Sequence, residues 1–547
     1  MILVYDFTYL SNNGVLENFL EDIAKDIKHY MTRDGDKVSL HVQGSEEELK
    51  SFSDILSKTL PFSLFLKDVN VRTAEKWDIL KAIKIPKCET MLAFTQKALL
   101  RAKAAFNPFI KNEIGSNPDI SAPLVFEDKS VHEEYHEGFK EAFLKAAKVV
   151  ASGGRLNIKT KNGFVCLSKL HDKRYENFSV MLTDLSAASK IAVLKNAEIS
   201  AIASLEKPLV KTYSNLVFAS NYPNFPRFFD IALANDLFLY LLGTALFDLG
   251  IDFVVLEAKQ SAPDASLYFK EEIQKSERLE ICALDNGQNI ILKGASFAPS
   301  PLLKSIKQIK NLRHMQFALA MRELDLFEKA NCGVYLSLKN DDMIMFYSAQ
   351  TGVLDMINIT YEDSLHEMLE NIAKEDESGL RLIKNYMEKF PLTAAKIKDI
   401  SLENKAKNIA NLWAFAAFLM EFGDSLEEAQ EKLFENIATF GGQKGPRVDY
   451  KLLDAKSAKT TINAHKFIRS VISFCLADVD GGLLSYGIAE SLVYFLSDFA
   501  DDLKGDFQIK NVLLLGSLFG IKTISNLSVK HIVNYRVDFN RELPIEL

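Results

Sequence analysis

Two short segments carry residue types at spacings that do chemistry elsewhere. The first is His132-Glu133-Glu134-Tyr135-His136, an H-E-x-x-H pattern. Residues four apart share one face of a helix, so both imidazoles would hold Zn2+ there, with Glu133 as the general base of a hydrolase. The flanking residues favour a plainer reading. A zinc-holding helix of that kind is buried and keeps its intervening positions uncharged, whereas Glu134 and Glu137 continue a charge run that begins at Glu127. A solvated helix start, with acids in its first turn, accounts for that run. A zinc hydrolase through His132 and His136 stays as an alternative.

The second segment is Gly516-Ser517-Leu518-Phe519-Gly520-Ile521-Lys522-Thr523. It follows an apolar run at 511–515 and has the composition of a phosphate loop, in which backbone N–H groups face an anion. The Walker spacing needs Gly-Lys-[Ser/Thr] in sequence, and Ile521 interrupts it. The plainer reading is a strand-to-helix turn that needs glycine for its backbone angles. The nucleotide-binding candidates here are Gly516, Ser517, Gly520 and Lys522. No G-x-S-x-G nucleophile elbow occurs.

The elements that must position these segments are read from periodicity. Residues 1–75 run strand, helix, strand, helix, strand, at 2–9, 16–27, 37–42, 46–60 and 65–71. That order predicts a small ferredoxin-like α+β sandwich. Residues 76–130 are irregular, with a helix at 87–101 and turn signals through two Asn-Pro pairs and Ala-Pro between Asn107 and Pro123, so a linker is placed there. Residues 131–265 open with a helix ending near Val150 and alternate strand and helix, the pattern of an α/β domain. Residues 275–547 begin with strands at 279–284 and 289–293. A hairpin at 333–347 follows, then helices at 361–373, 379–389, 404–422 and 426–438, and a strand at 511–515. Paired strands, helices and a strand entering a glycine turn fit an actin-like ATPase fold.

Composition bounds the function. The 547 residues are 48% hydrophobic and 25% charged, enough for several cores. A net charge of −8 argues against a nucleic-acid partner, which needs a basic patch. The five cysteines, Cys88, Cys166, Cys282, Cys332 and Cys475, form no CxxC pair, which argues against disulfides and cysteine zinc sites and suits a reducing compartment. The apolar stretch 238–256 contains Asp248 and Asp252, and a charge at a bilayer centre costs ~2.5–3.5 kcal/mol. It therefore predicts a buried helix at 237–247 and a buried strand at 253–256, not a membrane span. The start Met1-Ile2-Leu3-Val4-Tyr5-Asp6 has no basic n-region, and the expected compartment is the cytoplasm.

The order of these parts resembles that of the HypF family, the hydrogenase-maturation carbamoyltransferases: acylphosphatase-like (1–75), linker (76–130), YrdC-like (131–265) and TsaD-like (275–547). Four segments carry the resemblance. His29 to Val38, running on to Val42-Gln43-Gly44, is similar to the family's first-domain strand motif. Asn177-Phe178-Ser179-Val180-Met181 is similar to "KPFALM", and Ser204-Leu205-Glu206-Lys207-Pro208-Leu209-Val210 follows it in the family's order. Ser485-Tyr486-Gly487-Ile488-Ala489-Glu490-Ser491-Leu492 is similar to "HNGLAEAL". Val512-Leu513-Leu514-Leu515-Gly516-Ser517-Leu518-Phe519 is similar to "VALSGGVF". The resemblance implies a two-lobed actin-like domain in 275–547 with a pair of mixed sheets.

It also implies residue roles, and most are altered. Glu17 stands where the family's phosphate-cradle arginine would, and Arg33 where its water-orienting asparagine would. The linker retains only Cys88 in place of two CxxC–CxxC zinc modules. Glu176 replaces the lysine before "PFALM", Leu256-Glu257-Ala258-Lys259 replaces a Thr-Ser-x-Asn segment, and Lys173 alone survives as a basic nucleotide-binding match. Arg313-His314-Met315-Gln316 keeps one histidine of a metal cluster. Ser337-Leu338-Lys339-Asn340 replaces an acidic "DGTG" turn, Gly441 a glutamate, and Ser485 a histidine. Scaffold retained with chemistry replaced implies a pseudoenzyme: an accessory or scaffold protein in [NiFe]-hydrogenase maturation. Its partners would be hydrogenase subunits or other maturation proteins, with a homodimer left open and no catalytic residue assigned. No cofactor is expected, with ATP as the exception. The alternative is a divergent nucleotide-dependent carbamoyl-transfer enzyme.

Overall fold

Strand β1 (Ile2–Tyr9) buries Val4, Tyr5, Phe7 and Tyr9 almost completely, and so takes a central place. In the computed structural model, which describes residues 1–83, 93–105, 123–136, 139–258, 262–270, 277–294, 301–454 and 459–547, β1 pairs antiparallel with β3 (Lys37–Gln43) and β4 (Leu66–Ala74). A strand not anticipated separately, β2 (Lys28–Asp34), pairs with β3, giving the order β2-β3-β1-β4. With helices Val15–Ala24 and Glu46–Thr59 this is a split β-α-β sandwich, as expected. The second helix starts on a capping box in which Ser45 and Glu48 satisfy each other's backbone N–H groups.

Among the described residues, the remaining strands of the first half build an eleven-stranded mixed sheet. They are β5 (Leu124–Asp128), β6 (His132–Tyr135), β7 (Leu156–Thr160), β8 (Gly163–Ser168), β9 (Ser179–Leu182), β10 (Leu209–Tyr213), β11 (Phe228–Ala232), β12 (Phe253–Ala258), β13 (Ala265–Phe269), β14 (Glu280–Ala283) and β15 (Asn289–Lys293). Their order is β15-β14-β10-β11-β9-β12-β8-β7-β13-β5-β6. The apolar stretch after Leu237 is the expected helix, Leu237–Asp248, followed by β12, and both are buried. Among the described residues no helix is long and apolar enough to cross a membrane.

Three expectations are corrected. The helix expected to open at 131 begins only at Phe139 (Phe139–Ala151); His132–Tyr135 is an edge strand zipped to β5, which itself lies inside the stretch read as linker. Strands β14 and β15 do not head the last domain: β14 pairs parallel with β10, and the chain divides into compact units at 300/301 instead of 275. A short hairpin carries no sequence mark of which sheet it will join. Cys88, with most of the expected linker, lies outside the described residues.

The second unit, 301–547, contains among its described residues one six-stranded sheet where a pair was expected. Its strands are β16 (Asn331–Tyr335), β17 (Met343–Ser348), β18 (Gly352–Asn358), β19 (Thr460–Thr461), β20 (Asn511–Leu515) and β21 (Arg536–Asp538), in the order β19-β18-β17-β16-β20-β21. The β16–β17 hairpin and the strand β20 fall where the sequence placed them. Helix Ile409–Leu419 is apolar nearly all round and forms the core with Trp413, whose indole N–H donates to Tyr450 Oη at 2.7 Å. The 27-residue helix Gly481–Phe507 holds the Ser485–Leu492 segment.

An ion network ties the helices of this unit together. His465 Nε2 lies 2.8 Å from Glu362 and Nδ1 lies 2.5 Å from Glu375, while Arg469 reaches Glu375 at 3.2 Å and Asp376 at 2.9 Å. Hydrogen bonding to Glu362, against the effect of burial, raises the imidazole to about 9. The folded-state value exceeds the ordinary 6.5, so this stabilisation is complete below 6.5 and is lost as pH rises through about 9. Melting temperature should therefore fall on the alkaline side, and His465→Gln should flatten that fall. Equal slopes for the two proteins in a pH series of thermal melts would refute it.

Candidate functional site

The turn after β1 and the start of the next helix lie where the resemblance places a phosphate cradle in the first sandwich. Arg33, on β2, is turned inward rather than toward a ligand. Its Nη1 binds Glu17, its Nη2 donates to Ser11 O at 2.6 Å and Tyr9 O at 3.3 Å, and its Nε donates to Gly35 O at 2.9 Å. Glu17 and Arg33 have side-chain exposures of only 6% and 13%. Glu17 and Arg33 therefore neutralise each other. Glu17 is thus not an unpaired anion, and Arg33 spends its charge and its N–H groups within the chain.

The second unit offers a different geometry. Strands β16 and β20 are adjacent and parallel, and open α/β sheets receive ligands in the crevice beyond the carboxyl ends of such strands. Here the turns after the two strands meet. Gly516, at φ 92 and ψ 155, lies so close to β16 that a Cβ would stand 2.1 Å from Leu336 O. Leu338 N donates to Ser517 Oγ at 2.9 Å, joining the turns. Ser337 is fully buried; its hydroxyl accepts from Lys339 N and Asn340 N, both at 2.9 Å, and Asp342 accepts from Ser337 N and Ile409 N.

A carboxylate sits in this crevice. Glu546 accepts from Ser517 N at 2.8 Å, Ser337 Oγ at 2.6 Å, Asn340 Nδ2 at 2.6 Å and Tyr335 Oη at 2.9 Å. Burial acts to raise this carboxyl, but the four hydrogen bonds outweigh it and hold it below the usual carboxylate range. The segment bearing it is fixed from the helix Leu312–Glu323. Gln316 Nε2 donates to Pro544 O at 2.7 Å and Asn540 Oδ1 at 3.1 Å. Glu323 accepts from Arg541 N at 2.8 Å, Leu543 N at 3.1 Å and Asn540 Nδ2 at 3.0 Å. Gly516 N donates to Ile545 O at 2.9 Å. Beside the crevice is an open cleft of about 570 Å³ lined by Lys310, Arg313, Lys339, Asn340 and Asp341, the last paired with Arg313 at 3.4 Å.

Of the phosphate-loop candidates, Gly516 and Ser517 thus reach the crevice, Gly520 is buried in the turn that follows, and Lys522 begins the helix Lys522–His531. Lys173 belongs to the first unit. It lies 3.4 Å from Glu257 and over the Tyr175 ring. Ser485 is buried and donates to Gly481 O at 2.6 Å within its own helix. The 441–446 loop is pinned at Gly445, where a Cβ would stand 2.3 Å from Gly487 Cα.

His132 and His136 do not share a helical face. On extended chain four residues span about 13 Å, roughly twice the helical rise. His132 lies beside Glu127 and Glu134, and Glu133 is held by Lys145 and Tyr135. Among the described residues no group of three or more His, Cys, Asp or Glu side chains could hold a metal ion. Glu546, Glu323 and Asp342 were not anticipated. Glu546 lies 209 residues from Ser337 and in no motif, so only the folded chain brings the two together.

No family model matches the sequence. Protein HydE of Wolinella succinogenes is 26% identical over 522 residues, covering 92% of this chain and 91% of its own. Full-length HypF in its phosphate- and nucleotide-bound form matches all of this chain and 96% of its own at a TM-score of 0.67 and 12% identity. HypF of T. kodakarensis does so with 97% of its own chain at 0.66, also at 12% identity. The chain is therefore HypF-like in its mixed α/β multidomain fold, and similar to HydE in sequence along nearly its whole length.

Proposed function

We propose that the chain is an accessory or scaffold protein of [NiFe]-hydrogenase maturation, a catalytically degenerate relative of the HypF carbamoyltransferases. The observation that carries this reading is the Glu17–Arg33 pair. The position where a phosphoryl group would be cradled is filled by the chain's own buried ion pair, so its guanidinium is not presented to a ligand. The sequence similarity to HydE supports the same reading. The proposed partners are hydrogenase subunits or other maturation proteins, met in the cytoplasm, and a homodimer is checked by mass in solution. No cofactor is required for this role.

One observation favours the divergent nucleotide-dependent carbamoyl-transfer enzyme instead: the cleft with Lys310, Arg313 and Lys339 lies beside the Ser337–Asn340 turn. The deciding assay incubates the full chain with carbamoyl phosphate and ATP and follows phosphate and AMP. The expected result is no release above background. Turnover that disappears on Lys522→Ala would sink the scaffold reading, and ATP binding without turnover would leave it standing.

A further inference from the structure

We propose that the segment 540–546 is an internal latch, whose Glu546 carboxylate occupies an anion-receiving crevice and must withdraw before a phosphate-bearing ligand can enter. The inference rests on the crevice geometry and not on the maturation reading.

Three features of the second unit converge on it. The crevice lies beyond the carboxyl ends of the adjacent parallel strands β16 and β20, where sheets of this kind receive ligands. Its donors form an anion set: one backbone N–H from Ser517, the hydroxyls of Ser337 and Tyr335, and the amide of Asn340, all directed at one carboxylate. A charge-assisted set of this kind serves a phosphate oxygen as readily as a carboxylate oxygen. Lys310, Arg313 and Lys339 line the cleft alongside; Asp341, also in the lining, pairs with Arg313 at 3.4 Å, and Lys310 and Lys339 are the cations left to face an incoming anion.

The attachment of the segment explains how it could release without unfolding the unit. Its holds are polar and local: Gln316 on Pro544 O and Asn540 Oδ1, Glu323 on three backbone N–H groups, and Gly516 N on Ile545 O. Leu543 and Ile545 are buried and add an apolar hold. Withdrawal of this segment exchanges those hydrogen bonds for water, at little net cost, and exposes Leu543 and Ile545, a local opening below the cost of global unfolding. A ligand that uses the same donors competes with Glu546 directly, and its apparent affinity is reduced by the fraction of chains with the latch closed.

The test uses inorganic tripolyphosphate as the probe and the full chain, by calorimetry. Glu546→Ala and Glu546→Gln should each bind it at least about tenfold more tightly than the parent, through loss of the competing charge. Glu546→Gln keeps the shape of the segment and is read alone should the alanine variant not fold. Adding Lys339→Ala to Glu546→Gln should abolish the gain. Hydrogen exchange on the parent at saturating tripolyphosphate should show residues 540–547 becoming fast while the Ser517 amide stays protected. Equal affinity in parent and variants, whether measurable or nil, overturns the proposal. So does a gain that survives Lys339→Ala, or a segment that stays protected under saturating ligand.

Discussion

Arg33→Ala destabilises the first unit by about 3–5 kcal/mol in a denaturant titration, the range for removing one partner of a buried ion pair. Glu17 has a side-chain exposure of 6%, and its Oε2 already has no hydrogen-bond partner. Without the guanidinium both oxygens are buried and unpaired, and the carbonyls of Ser11 and Tyr9 lose their donor. Glu17→Ala should cost a similar amount by stranding the guanidinium. Replacing both residues by leucine should recover most of the loss, because two buried charges and their desolvation vanish together. A double variant as unstable as the sum of the single ones would show that the pair does not act as a unit.

Gly516→Ala should be the most damaging conservative change in the second unit. At φ 92 and ψ 155 the residue occupies a backbone region that only glycine enters readily, worth about 1–3 kcal/mol of strain for any other residue. The 2.1 Å approach of the new Cβ to Leu336 O adds to that, since the obstacle is backbone and cannot rotate away. The parallel pairing of β16 and β20 must loosen, and Ser517 N and Leu338 N lose their positions. The expected readouts are a melting temperature lowered by several degrees and faster amide exchange at both residues. Gly441→Ala is the control: nothing lies within 4 Å of its Cβ position, and the change should be nearly silent. An unchanged melt for Gly516→Ala would mean that the crevice does not depend on this close approach.

Elements with a strong period were legible in the sequence. Strand β1, the buried helix Leu237–Asp248 and strand β20 with its glycine turn fall within a residue or so of expectation, because each is an apolar run bounded by clear stop signals. The H-E-x-x-H segment was misread for a physical reason. Four residues with two acids satisfy both a solvated helix start and an edge strand, and only the partner β5 selects the strand. Strand β2 has no counterpart in the sequence reading, which goes from the helix at 16–27 to the strand at 37–42; it pairs with β3 across the short Gly35 turn. Glu17 and Arg33 were visible singly, but not as a pair, since they lie sixteen residues apart on a helix and a strand. Gln316 was read as the loss of a ligand, whereas it is the residue that grips Pro544 and Asn540.

The core of the first unit also sets conditions on synthesis. Phe7, Phe19, Phe52 and Phe65 of the leading sandwich belong to the same buried cluster as Val180, Ile202, Val210, Ile281 and Ile291. Glu206 closes the join by accepting from Ser63 Oγ at 2.5 Å and Leu64 N at 2.9 Å. A ribosome adding about 5–20 residues per second therefore releases the sandwich roughly 10–40 s before the last of its covering residues exists. During that interval the nascent chain shows an apolar surface that only later translation hides. A gene fragment ending near residue 75 would freeze the chain in that condition, and its product should precipitate or bind a chaperone rather than fold as a free sandwich.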